Sequence, residues 1–224
     1  MEQFSRLQFR SICLRNDLRI SEGQLDTFEK FLSLLLQENR HTNLISRQDE
    51  NNLWVSHFLH SISPAFLLAF SKTAEVLDLG SGGGLPGIPL KILFPSMNVT
   101  LLDSVEKKID ALERIVTSLG LEGLRTIRAR AEDLPESAST RKAFDVVIAR
   151  AVATLKKLAQ WSEPLLKPSM GDITVLKGEK TVVPPGTLIA FKGGDLRREI
   201  DEMRRSRDVK SIHEFPLEIG RAHV

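Results

Sequence analysis

The hydrophobic pattern divides the chain into a helical part and a part in which strands alternate with helices. Residues 1–70 form the helical part, where Ser21 and Gln24 make a capping-box pair before a run with helical spacing. The apolar positions of that run are Leu25, Phe28, Leu32, Leu35 and Leu36. Residues 39–52 are polar and predict a loop, and residues 53–70 return to a helical pattern.

Short apolar runs in residues 71–224 predict β-strands. These strands lie at 76–79, 98–103, 124–129, 144–150 and 172–177, with a further candidate at 209–215. The predicted helices and turn lie at 106–119, 155–166, 195–207 and 184–186. Such alternation predicts an α/β fold with a mostly parallel sheet, preceded by an N-terminal helical extension. We therefore expect an extension over 1–70 and a sheet domain over 71–224, within one structural unit.

The sequence breaks into glycines directly after the first predicted strand, where residues 75–87 read E-V-L-D-L-G-S-G-G-G-L-P-G. A tight glycine turn between a strand and a helix lets the backbone approach a nucleotide-like ligand closely. The acidic residue and the glycines that alternate after it are Asp78, Gly80, Gly82 and Gly84. These four are the candidate cofactor-binding residues of the turn.

Two classes of cofactor use a turn of this kind. The spacing Gly82-x-Gly84-x-x-Gly87 matches the dinucleotide fingerprint, which on its own suggests a nicotinamide-dependent oxidoreductase. Asp78 favours the other class, because a carboxylate repels a pyrophosphate but attracts the ammonium and sulfonium of S-adenosylmethionine. We therefore expect S-adenosylmethionine as the cofactor, with a purely structural turn as a further alternative.

Three more candidate cofactor residues follow the next two predicted strands. Asp103 ends the second strand about 20 residues after the glycines, where a carboxylate can accept ribose hydroxyls. The alternative role for Asp103 is the N-cap of the following helix. Ala131 and Glu132 come just after the third strand and can hold the adenine edge through a backbone N–H and a side chain, although such residues also occur in ordinary polar loops.

Three cations also fall at or just after predicted strand ends. They are Arg130, Arg150 and Lys177. The carboxyl ends of parallel strands meet at one edge of a sheet, so we expect these cations to converge there. Converging cations indicate a substrate that carries phosphate.

The composition indicates the cellular compartment and argues against disulfide and metal sites. The 224 residues carry a formal net charge of +2 and one cysteine, Cys13, so we expect no disulfide and a cytoplasmic protein. No apolar run reaches membrane-spanning length. His57 and His60 lack the spacing of the helical zinc motif, so we expect no metal.

Several motifs together resemble one enzyme family. The segment L-D-L-G-S-G-G-G-L-P-G-I-P at residues 77–89 is similar to the glycine loop of the bacterial small-subunit rRNA guanine-N7 methyltransferases, the glucose-inhibited division protein B family. Further similar segments are N-L-I at 43–45, H-F-L-H-S at 57–61, L-L-D-S at 101–104 with Lys107, R-A-E at 130–132, A-R-A-V-A at 149–153, L-K-G at 176–178 and G-R-A-H at 220–223. His60 departs from the family, which usually has Asp there.

The resemblance implies a class I, Rossmann-like methyltransferase sheet behind an N-terminal helical cap. It implies S-adenosylmethionine as methyl donor and N7 of one guanine in the 530-loop region of small-subunit (16S) rRNA as acceptor. The partner is then small-subunit rRNA or the small ribosomal subunit, and we expect a monomer. Carried over by motif, the residues that contact the cofactor are Gly80, Leu85, Ala131, Glu132 and Arg150, with Asp103 on its ribose.

Guanine N7 has an in-plane lone pair and no proton to lose, so the reaction needs alignment rather than a general base. Arg130, Arg150 and Lys177 are the candidate catalytic residues, which we expect to hold RNA phosphate or guanine O6. Other functions stay open. They are a catalytically silent RNA-binding protein on this fold, a methyltransferase for protein or a small molecule, and the nicotinamide-dependent enzyme.

Overall fold

The computed structural model describes residues 5–134, 140–169, 179–205 and 209–215. Its N-terminal part is helical. The elements are α1 (Arg6–Arg15), α2 (Glu22–Asn39), a 3-10 helix (Arg47–Asn52), a π-helix (Trp54–Leu59), α3 (His60–Ile62) and α4 (Pro64–Leu67). Both long helices begin with a capping box, Ser5 with Gln8 and Ser21 with Gln24, which satisfies backbone donors at the helix start.

Parallel strands and further helices make up the rest of the described chain. The strands are β1 (Leu68–Ala69), β2 (Glu75–Leu79), β3 (Asn98–Asp103), β4 (Leu124–Arg128), β5 (Val146–Arg150), β6 (Thr181–Val182) and β7 (Thr187–Phe191). The helices are α5 (Gly87–Leu93), α6 (Glu106–Leu119), α7 (Leu155–Ser162) and α8 (Arg197–Arg204). Five strands form a parallel sheet in the order β4-β3-β2-β5-β7, and β1 pairs separately with β6.

The strand order places a crevice between β2 and β5. From β2 the chain builds outward through β3 to β4, and it then returns to the other side of β2 with β5. Connections diverge at such a point, so the carboxyl ends of the two central strands stay open to a ligand. The predicted α/β fold with a parallel sheet is confirmed.

The two faces of the sheet belong to two hydrophobic clusters. Side chains alternate along β2, so Val76 joins one cluster and Leu77 the other. The Val76 cluster also contains Phe9 of α1 and Phe28 of α2, whereas Leu158 of α7 covers the opposite face. The N-terminal helices therefore share one core with the sheet.

Most predicted elements lie where the pattern placed them. The strands predicted at 76–79, 98–103, 124–129 and 144–150 are confirmed, and the helix predicted at 106–119 matches α6 residue for residue. The strand predicted at 172–177, with Lys177, lies outside the described residues.

Other predictions need correction. The helix predicted at 155–166 ends at Ser162, because Pro164 has no N–H to continue it. The pattern over 53–70 breaks into short helices and ends in β1. Residues 209–215 are irregular rather than a strand, since no strand of the described chain pairs with them. The hydrophobic pattern did not predict β7.

In the described ranges no helix is long and apolar enough to cross a membrane. The same residues contain no group of three or more His, Cys, Asp or Glu side chains that could hold a metal ion.

Candidate functional site

A left-handed glycine turn connects β2 to α5. Gly80, Gly82 and Gly84 have φ angles of +76°, +55° and +81°, which favour glycine over other residues. Ser81 ties the turn to the neighbouring strand, because its Oγ donates to the carbonyls of Asp78 and Leu102 at 3.1 Å. The predicted strand–turn–helix arrangement is therefore present at the crevice edge.

Asp78 is fully buried beneath this turn. Its Oδ2 accepts a hydrogen bond from the backbone N–H of Gly87 at 2.8 Å, and its Oδ1 is buried without a hydrogen-bond partner among the described residues. Burial raises the pKa of the Asp78 carboxyl to about 7, against the Gly87 hydrogen bond and the Arg150 charge, which lower it. A Cβ on Gly87 would lie 2.7 Å from Oδ2, so the last glycine of the dinucleotide-like spacing serves contact with Asp78.

Arg150 ends β5, beside β2, and points toward the N-terminal part. One of its amino groups, Nη2, lies 2.5 Å from Nδ1 of His57 in the π-helix. The other, Nη1, is buried and has no hydrogen-bond partner within the described ranges. Burial lowers the pKa of Arg150, while the charge of Asp78 raises it. Asp78 and Arg150 thus lie near the carboxyl ends of neighbouring strands, close enough for each charge to influence the pKa of the other group but without a direct ion pair between them.

Asp103 joins the end of β3 to the glycine turn. Its Oδ2 accepts from the N–H of Gly82 at 3.1 Å, and its Oδ1 accepts from the N–H of Val105 at 2.9 Å. The N-cap of α6 is Val105, so the N-cap alternative for Asp103 is wrong. Each carboxylate oxygen has a second lone pair, which leaves Asp103 able to accept hydroxyl groups of a ligand.

The segment after β4 carries Arg130, Ala131 and Glu132. Ala131 is buried, whereas the Arg130 side chain is 71% exposed and lies 3.9 Å from the Glu132 carboxylate. β4 is three strands away from β5, which is about 14 Å at the usual strand spacing. Arg130 and Arg150 therefore share the carboxyl edge of the sheet without forming one cluster, and Lys177 is outside the described residues.

The N-terminal part covers the glycine turn, in keeping with the helical cap that the resemblance implies, although no pattern in the sequence indicated which residues make the contact. Leu44 lies over it, with its carbonyl oxygen 3.4 Å from a Cβ built on Gly83. Leu85, within the turn, is 5% exposed. Asn39, at the end of α2, holds the Leu44 loop through its side chain. The only sequence signal for His57 is its place in the H-F-L-H-S segment, which gives a resemblance but no chemistry.

The site fits S-adenosylmethionine. The buried Asp78 Oδ1 and Arg150 Nη1 lack hydrogen-bond partners in the described chain, and such atoms are costly to leave unsatisfied. A ligand that carries both an ammonium and a carboxylate, as the amino-acid end of S-adenosylmethionine does, would satisfy both. The turn also has no room for a side chain at Gly84, since a Cβ there would lie 2.4 Å from Ile88 Cδ1.

Comparison with known proteins gives concordant results. The family model GidB, rRNA small subunit methyltransferase G, matches residues 24–183. A ribosomal RNA small subunit methyltransferase G from Exiguobacterium sibiricum is 38% identical over 193 residues, which cover 85% of this chain and 81% of that protein. Its counterpart from Porphyromonas gingivalis is 39% identical over 81% of this chain and 75% of its own length.

Among solved structures, precorrin-6y C5,15-methyltransferase from Geobacter metallireducens aligns with 59% of this chain and 66% of its own, at a TM-score of 0.41 and 14% identity. The family model and the sequence relatives cover the glycine turn, Asp103, the segment after β4 and Arg150. The chain belongs to the GidB family, the rRNA small subunit methyltransferase G proteins.

Proposed function

We propose that this protein transfers the methyl group of S-adenosylmethionine to N7 of one guanine in small-subunit rRNA, in the 530-loop region. The observation that carries the cofactor is that two buried polar atoms beside the glycine turn, Asp78 Oδ1 and Arg150 Nη1, have no hydrogen-bond partner among the described residues. The names of the relatives and the resemblance of the motifs support the acceptor. We place the reaction in the cytoplasm and expect the protein to act as a monomer.

The chain's main task is alignment. S-adenosylmethionine supplies an electrophilic methyl group on a sulfonium, and guanine N7 supplies a lone pair without losing a proton. No side chain has to act as a general base, so the protein gains rate by holding the two reactants in line. Orientation alone can lower a barrier by about 7–11 kcal/mol. The glycine turn, Asp78 and Asp103 bind the cofactor, while Ala131 and Glu132 hold its adenine end.

The three candidate catalytic cations have different tasks in this proposal. Arg130 is open to solvent and suits an RNA phosphate. Arg150 is partly buried, with its Nη1 enclosed, and suits the carboxylate end of the cofactor. Lys177 keeps its expected role at phosphate or guanine O6. A cation close to N7 itself would oppose the reaction, because positive charge develops on the base there.

The direct test is transfer of labelled methyl from S-adenosylmethionine to small ribosomal subunits that lack this modification. Nuclease digestion and mass analysis should identify 7-methylguanosine at a single position. Transfer to another nucleoside, to protein or to a small molecule would support a different acceptor, and cofactor binding without any transfer would support a silent RNA-binding protein. The family assignment leaves the nicotinamide-dependent oxidoreductase without support.

A further inference from the structure

His57 joins the N-terminal part to the partly buried guanidinium of Arg150. His57 lies in the π-helix and is 5% exposed, while Arg150 ends β5, 93 residues later in the chain. His57 Nδ1 and Arg150 Nη2 are 2.5 Å apart. Side chains inserted from a π-helical turn often occur at functional sites. The contact therefore joins the N-terminal helices to Arg150, at the crevice between β2 and β5.

The chemistry of the two groups fixes the proton on the imidazole ring. A guanidinium only donates hydrogen bonds, so Nδ1 of His57 must accept, and the neutral ring then carries its proton on Nε2. That nitrogen is buried without a hydrogen-bond partner among the described residues, and the nearest carboxylate oxygen that faces it is Oδ2 of Asp49, in the 3-10 helix, at 3.5 Å. Asp49 thus lies on the side of the ring where a proton is required.

The surroundings keep this ring neutral. The pKa of His57 is lowered to about 4, mainly by burial and then by the charge of Arg150, with Asp49 opposing both. His60 also lies near Arg150, and burial and the charge of Arg150 lower the pKa of His60. The His60 ring packs edge-on against Phe191 at 5.4 Å. At neutral pH His57 can therefore accept from Arg150 without a competing positive charge on the ring.

The second amino group of Arg150 differs from the first in its hydrogen bonding. Nη1 is buried and makes no hydrogen bond to the described residues, although Asp78 is close enough to influence the pKa of the guanidinium. An arginine side chain has several rotatable bonds, and ordering it costs free energy. A partner that holds Nη2 removes much of this freedom before a ligand arrives.

We infer that His57, with its ring proton on Nε2, is a positioning residue that fixes the Arg150 guanidinium for the carboxylate end of the cofactor. The inference rests on the proposed function, since it assigns a role to a residue that acts through Arg150. This role gives the N-terminal helices a direct part in binding the cofactor.

Substitutions at His57 can separate the two ring positions. An amide oxygen in His57→Asn lies near the place of Nδ1, whereas His57→Gln places its amide near Nε2, and His57→Leu has neither. The probes are S-adenosylhomocysteine and methylthioadenosine, which lacks the amino-acid end, titrated by calorimetry. Losing one hydrogen bond to a charged group should weaken S-adenosylhomocysteine binding by about 10- to 100-fold in His57→Leu and His57→Gln.

We expect His57→Asn to lose less than about fivefold, because it keeps an acceptor for Arg150. Methylthioadenosine should bind all three variants as it binds the wild type, which also shows that they are folded. Equal losses in His57→Asn and His57→Leu, or equal losses for both ligands, would overturn the inference.

A double-mutant cycle completes the test. In an Arg150→Met background, His57→Leu should have no further effect on S-adenosylhomocysteine binding, because the group that it positions is gone. Additive losses would overturn the inference and leave the proposed function standing. Failure of the wild type to bind S-adenosylhomocysteine would overturn the proposed function, and the inference with it.

Discussion

Asp78 combines burial, a single hydrogen bond and a raised pKa of about 7. An ammonium group bound beside it favours the ionised carboxylate, so binding below pH 7 must release the proton. S-adenosylmethionine affinity should therefore rise with pH from 5.5 to 7, by at most about tenfold per unit, and then level off. Calorimetric titrations across this range measure the effect.

The matched variant is Asp78→Asn, which retains an acceptor for the Gly87 N–H but cannot titrate. We expect weaker binding of S-adenosylmethionine and a flat pH dependence in this variant. A wild-type affinity that does not change between pH 5.5 and 7 would contradict the assigned role of Asp78.

Arg130 is the exposed candidate cation at the carboxyl edge of the sheet. Arg130→Ala should weaken binding of small-subunit RNA by about 1 kcal/mol or more, because it removes one charged phosphate contact. S-adenosylmethionine affinity should stay unchanged. Arg141→Ala is the control, since Arg141 is also exposed but precedes the amino end of β5. An equal loss of RNA affinity in both variants would refute a specific role for Arg130.

Among the secondary-structure elements, α2 reaches the glycine turn directly through Leu35, and its end is also joined to the turn through the side chain of Asn39. Asn39 Oδ1 accepts from the backbone N–H groups of Leu44 and Ile45 at 2.8 and 3.0 Å, and its Nδ2 donates to Glu50 at 2.7 Å. Leu44 in turn packs over Gly83. The position of the cap over the cofactor turn thus depends on a buried amide.

Exchanging the amide of Asn39 and the carboxylate of Glu50 tests these hydrogen bonds. Asn39→Asp keeps the acceptor but places two carboxylates together, so it should destabilise the fold by about 1–3 kcal/mol and weaken cofactor binding. Adding Glu50→Gln restores a donor and should recover most of both losses. Urea denaturation and cofactor titration measure them. A double variant no better than Asn39→Asp alone would show that the hydrogen bonds do not act as described.

The strands and helices also show how much of the structure could be predicted from the sequence. The strands β2 and β3, helix α6, and the residues Asp78 and Asp103 all follow from local patterns of apolar runs and strand ends. The irregular 209–215 segment depended on pairing partners elsewhere in the chain. The Arg150–His57 contact spans 93 residues, and no periodicity or motif spacing encodes such a contact.

At the scale of the whole molecule, the N-terminal helices and the sheet share one core. Phe9 of α1 is fully buried, with its ring centroid 5.2 Å from that of Phe28 and 5.1 Å from that of Trp54. The same cluster includes Val76 of β2. A common core couples the stability of the cap to that of the sheet.

Phe9→Ala should lower the free energy of unfolding of the whole protein by about 3–5 kcal/mol, in a single denaturant transition. Leu7→Ala on the same helix is the control, because Leu7 is 72% exposed and should cost no more than about 0.5 kcal/mol. Circular dichroism and tryptophan fluorescence should report the same midpoint. Two separate transitions would mean that residues 1–70 unfold independently of the sheet.

We propose that Asp78 and Arg150 bind the amino-acid end of S-adenosylmethionine beside the glycine turn. The most direct measurement compares S-adenosylhomocysteine with methylthioadenosine, by calorimetry, on the wild type, Asp78→Asn and Arg150→Met. We predict that the wild type strongly prefers S-adenosylhomocysteine and that each variant loses this preference while binding methylthioadenosine unchanged. A wild type without preference, or variants that lose both ligands equally, would contradict the account.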